Sequence, residues 1–139
     1  MKKALAILLA LLLSLSCLFA CSAAPKINKE SWALVSVTKN EDFLYIASSY
    51  ADAAPGVPTL DCTLTANRGS FTITELASGK TYTGTYGERE ELGIVAEYTI
   101  TVENRQGNAL VSHSEDEDGN LLTTLVLHLG DYALLFVAQ

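Results

Sequence analysis

This 139-residue chain is poor in the residues that carry most enzyme chemistry: three cysteines, two histidines, one methionine and one tryptophan. It has no G-x-S-x-G segment to set a serine on a strand-to-helix elbow, and Cys62 has no histidine near it in sequence to act as base. Ser112, His113 and Ser114 are consecutive, so in a strand their side chains alternate between faces and do not converge. No glycine-rich phosphate loop follows a strand and opens a helix. These absences point to a non-enzyme that needs no cofactor. Positive charge is also scarce. No Lys or Arg follows Arg105, so the last quarter of the chain is wholly anionic.

One long apolar run is present. Residues 4–19 carry no charge, are interrupted only by Ser14 and Ser16, and follow Lys2 and Lys3. A membrane-spanning helix wants about 20 apolar residues. A charged start, a shorter apolar core and small residues at its end instead predict a cleaved signal peptide over residues 1–20. The alternative, a permanent membrane helix, is disfavoured by the polar residues that follow at once.

The core ends Leu18-Phe19-Ala20-Cys21. This segment resembles the lipobox of bacterial lipoproteins: an aliphatic residue at −3, a small residue at −1, then cysteine. Phe19 departs from the pattern, whose −2 position is usually small. Cys17 is the competing site, but Ser14-Leu15-Ser16 before it matches less well. The resemblance implies cleavage before Cys21 and a thioether-linked diacylglycerol on it. One acyl chain anchors only marginally, whereas two hold stably, at about 0.8 kcal/mol per buried methylene. It further implies an extracytoplasmic protein on the outer face of the plasma membrane, or on the outer membrane of a two-membrane host. Ser22 is not the aspartate of inner-membrane retention signals.

Loss of residues 1–20 leaves 119 of the 139, the size of one small domain. Seven basic residues then face sixteen acids, a formal charge of −9. Nucleic acid and anionic head groups would repel such a chain, so neither is an expected partner. With Cys21 lipidated, Cys62 is the one cysteine left, and its place between Leu60 and Leu64 suits a buried, inert thiol. A Cys21–Cys62 disulfide becomes possible only if Cys21 carries no lipid. Residues 21–30 read as a tether, which fully extended would let the domain stand roughly 30 Å from the membrane.

From Ser31 the sequence has a period of two. Leu60, Cys62, Leu64 and Ala66 alternate with Thr59, Asp61, Thr63 and Thr65, and Tyr98, Ile100 and Val102 alternate with Thr99, Thr101 and Glu103. Residues 81–86 alternate threonine with tyrosine or glycine. Such patterns predict half-buried antiparallel strands. Turn residues at 67–69, 78–79, 106–108, 118–120 and 130–131 divide them into strands near 31–38, 43–48, 59–66, 70–77, 80–86, 94–103, 109–114, 121–129 and 131–138. Pro55, Gly56 and Pro58 make 48–58 a loop with a short helical turn. The expected fold is all-β: an antiparallel up-and-down meander over residues 31–139 that closes into a barrel of about eight strands and so removes its edges.

The opening Ser31-Trp32-Ala33-Leu34-Val35-Ser36, the hairpin Leu64-Thr65-Ala66-Asn67-Arg68-Gly69-Ser70-Phe71 and the final Tyr132-Ala133-Leu134-Leu135-Phe136 resemble lipocalin-like domains of bacterial lipoproteins. The likeness implies a small barrel. Glu30 stands where lipocalins place the Gly of G-x-W, and no Arg lies near the last strand, so it does not carry over their ligand chemistry.

Trp32, Phe71, Tyr82, Tyr86 and Tyr98 are the candidate ligand-contacting side chains, since all lie on expected strands and aromatics dominate small cores. Gly84 leaves a gap between Tyr82 and Tyr86, either a strand bend or ligand space. An eight-stranded barrel is just wide enough to be filled by side chains or to hold one small ligand. His113 and His128 flank a hairpin turn, and would form a metal site only if they meet across it with a third ligand. Clustered Glu115, Asp116, Glu117 and Asp118 suggest calcium, but Leu125 falls where a twelve-residue calcium loop needs Glu; a solvated hairpin turn accounts for the cluster. The expected function is thus a membrane-tethered barrel that binds a small apolar molecule, lipid or peptide. The alternative is a solid barrel that binds an envelope protein.

Overall fold

A computed structural model describes residues 24–139, so Cys17, Cys21 and the expected signal peptide lie outside the described residues. Nine strands follow in order: β1 (Trp32–Lys39), β2 (Asp42–Ile46), β3 (Cys62–Asn67), β4 (Ser70–Glu75), β5 (Thr81–Leu92), β6 (Val95–Val102), β7 (Arg105–Glu115), β8 (Leu121–Leu129) and β9 (Tyr132–Ala138). All strand pairings are antiparallel. From β3 to β9 each strand pairs with the next, and β9 returns to β1, with Trp32 opposite Ala138 and Lys39 opposite Tyr132. The result is a closed eight-stranded barrel with β2 as a ninth, outlying strand. Two 3₁₀ turns, Ile27–Lys29 and Ser48–Ala53, complete the elements among the described residues. Among the described residues no helix is long and apolar enough to cross a membrane.

The alternation read from the sequence forms the wall. Leu64, Phe71, Ile73, Ile100, Val111, Leu125, Leu127 and Phe136 point inward and are almost fully buried. The expected turn at 106–108 is displaced. Glu103 and Asn104, both with positive φ, form the tight connection, and Gly107 lies inside β7. A Cβ at Gly107 would collide with the His128 carbonyl, so glycine is there for close strand approach rather than for turning. Likewise β5 runs on to Leu92 because a bulge between Gly87 and Arg89 bends the strand without ending it.

The first hairpin departs from a simple meander. β1 pairs with β3 only at Trp32 and Ala33, then with β2 from Ser36 to Lys39. β2 therefore occupies the seam where β1 and β3 separate. It is joined to the far side by an Ile46–Thr59 bridge and by the Leu60 amide donating to the Ile46 carbonyl (2.9 Å).

Candidate functional site

The two ends of the barrel differ. At the end where β1 begins, the segment before it folds across the opening as a plug. Ala24 and Ile27 are buried there among core residues. The Ile27 amide donates to the Tyr98 hydroxyl (3.3 Å), and the Trp32 indole N–H donates to the Ile27 carbonyl (2.9 Å). Arg89, turned to this end by the β5 bulge, donates from Nε to the Tyr98 hydroxyl (3.1 Å) and from Nη2 to the Ala24 carbonyl (2.9 Å), and pairs with Glu91. Backbone polar groups buried in the plug thus find partners on the wall. The described part of the expected tether is consequently no free spacer: from Ala24 onward it is part of the barrel's packing.

The opposite end opens into an apolar cup of about 250 Å³. Leu34 and Val37 from β1, Leu60, Cys62, Ile73, Val102, Leu129, Leu134 and Phe136 form its wall and floor, with Tyr45 and Tyr82 contributing the rest. A β1 irregularity between Leu34 and Ser36 brings Leu34 and Val37, three residues apart, to the same lining. No lining side chain is charged. Lys80 sits just outside, its ammonium 4.8 Å from the Tyr82 ring centre, and its pKa is raised, first by hydrogen bonding to Tyr82 and then by nearby Glu103 and Glu75. Burial, with smaller help from Glu75 and Asp61, pushes the Cys62 thiol up to about 11, so it lines the cup as a neutral apolar group. Phe43 and Leu76 are exposed on the same end of the barrel.

The sequence candidates divide between the two ends. Tyr82 lines the cup. Trp32 and Tyr98 hold the plug, and Tyr86 stacks edge-on against Tyr98 with ring centres 5.6 Å apart. Phe71 fills the space over Gly84: a Cβ there would lie 2.7 Å from two ring carbons of Phe71 and nearer still to its tip. The expected gap at Gly84 is therefore closed by packing rather than open to a ligand. His113 and His128 do not meet. His113 sits opposite Thr123 and shares a 2.9 Å hydrogen bond with it, while His128 pairs with Asn108, five residues or about 17 Å away along β7. Among the described residues no three His, Cys, Asp or Glu side chains gather as a metal site. In the acidic turn, Asp116 accepts from the Asp118 and Asn120 amides (3.0 and 2.8 Å), and hydrogen bonds, chiefly from Asn120, hold its pKa below the usual value. That carboxylate serves its own turn.

The aliphatic cup itself was missed by attention to aromatics. Its signal lay in inward positions scattered over many strands, which no single motif marks. Arg89 was missed too, although it is the lone cation in the run Glu88-Arg89-Glu90-Glu91.

The fold and site define a small closed β-barrel with one plugged end and one open apolar end. No protein-family model, curated protein or solved structure matches the chain.

Proposed function

We propose that this protein is a non-catalytic lipoprotein of the cell envelope, anchored through Cys21, whose barrel takes one small uncharged apolar molecule in its cup. The carrying observation is the cup's lining, mainly aliphatic with Tyr45, Tyr82 and Phe136 and free of charged side chains. A charged group would lose its hydration there without a partner, whereas methylenes each contribute about 0.8 kcal/mol on burial. At about 30 Å³ per small unit, 250 Å³ accommodates roughly eight carbons. Eight methylenes give roughly 6 kcal/mol before association costs, so affinity should be no tighter than about 40 µM.

The test is titration of the domain with n-octanol, followed by amide chemical shifts. Shifts should concentrate on residues of the cup and vanish in Ile73→Trp, which fills it. Shifts spread over the surface, or unchanged by the filling variant, would refute the reading. A second reading, capture of a protein strand, is favoured by one observation: β2 ends the strand order, with Phe43 exposed on it. It stands if octanol finds no site.

A further inference from the structure

We infer that the plugged end of the barrel rests on a neutral phospholipid surface, with the tips of the β5–β6 and β7–β8 hairpins as its feet, and that the cup opens away from the membrane. The inference depends on the proposed lipid at Cys21. Because Arg89 holds the Ala24 carbonyl and Tyr98 and Trp32 hold Ile27, only three Cα–Cα steps separate Cys21 from fixed backbone. Those steps span at most about 11 Å. β8 has nine residues, about 30 Å along the strand, and at the usual tilt of a barrel strand the wall stands a little over 20 Å high. A leash of 11 Å therefore cannot bring the mouth to the bilayer while the plug end is lifted from it.

The plug end is also suited to such a surface. Leu92 and Ile94 are 56% and 53% exposed, Leu121 and Leu122 67% and 38%. β6 and β7 are paired from Val95–Ser112 to Val102–Arg105, so the two hairpin tips emerge side by side. The β7–β8 hairpin continues three further residue pairs, to Glu115 opposite Leu121, and so projects beyond its neighbour as a foot. Glu90, Glu91 and the acidic residues 115–118 lie at this same end, outnumbering the exposed Lys26, Lys29 and Arg68 there. They would be repelled by anionic lipid, so the surface that fits has neutral head groups. The consequence for the cup is its supply. Its ligand arrives from the aqueous side or from another protein, and not by sliding out of the anchoring bilayer.

The test uses the full-length lipidated protein on phosphatidylcholine vesicles, with Cys21→Ser protein free in solution as reference. Intact mass comes first: a diacylglycerol adduct on Cys21 is expected, and its absence overturns the anchoring reading and this inference with it. With the adduct present, hydrogen exchange on vesicles should slow several-fold at residues 92–95 and 119–123. It should stay unchanged at the mouth turns 40–41, 76–80, 103–104 and 130–131, and octanol should bind as in solution. Adding phosphatidylglycerol should reverse the slowing at the tips. Slowing at the mouth turns, no slowing at the tips, or loss of octanol binding on vesicles would refute the orientation while leaving the lipid anchor standing.

Discussion

Gly84→Ala should destabilise the barrel while Gly87→Ala, three residues along the same strand, should not. At Gly84 the new methyl would lie 2.7 Å from two Phe71 ring carbons, against an ordinary contact of 3.4–4 Å. The ring must therefore retreat by about 1 Å, and it is 2% exposed within a close-packed core cluster. Overpacking of this kind costs about 1–3 kcal/mol. Stiffening the unfolded chain returns about 0.4–1 kcal/mol, leaving a net loss of about 1–2 kcal/mol. For a domain of this size that lowers Tm by roughly 4–8 °C. At Gly87 a methyl meets only Thr99 Oγ1, at 3.7 Å, so the unfolded-state gain should dominate and raise stability by a few tenths of a kcal/mol. Urea unfolding followed by fluorescence of Trp32, the one tryptophan in the chain, measures both. Phe71→Leu should absorb much of the Gly84→Ala penalty, since the two sites share one contact. If Gly84→Ala proves as stable as Gly87→Ala, Phe71 does not fill the barrel at this level, and the cup runs deeper than described.

Other perturbations separate plug from cup. Arg89→Met removes donors to Tyr98 and to the Ala24 carbonyl, and should cost about 2 kcal/mol and expose the segment before β1 to proteolysis; unchanged cleavage would show that the plug does not depend on it. Cys62, with its thiol pushed up to about 11, should resist disulfide reagents at pH 8 in the folded protein and react at once in urea. Because its folded pKa lies above the unfolded value of 9.0, its contribution is intact below pH 9 and lost as pH rises towards 11. The stability difference between wild type and Cys62→Ala across that window reads it, and a difference flat with pH would contradict the burial.

Much of the wall was legible from residue alternation, because a strand with one face in the core must repeat every two residues. Leu60, Cys62, Leu64 and the Tyr98–Ile100–Val102 series lie where that rule places them. The turn at 103–104 was not legible. Glu and Asn advertise positive φ less than the nearby Gly107, whose role is close packing against β8. The seam was hidden as well, since alternation says which face a residue takes and not which neighbour its strand chooses. Ile27 read as tether because a single apolar residue among lysines has no period, and its burial depends on Tyr98 from distant β6 as well as on nearby Trp32. The candidate aromatics lie mostly at the plug end, while the open end is lined mainly by aliphatics contributed one or two at a time by separate strands.

Binding of a homologous series of n-alkanols, from butanol to dodecanol, tests the central claim most directly. A cup of about 250 Å³ predicts affinity rising about fourfold with each added methylene, at 0.8 kcal/mol apiece, and levelling off near eight carbons. The Ile73→Trp variant should show no such rise. Affinity that climbs without a plateau to dodecanol, or is the same in the filled variant, would contradict a closed-bottomed apolar cup as the binding site.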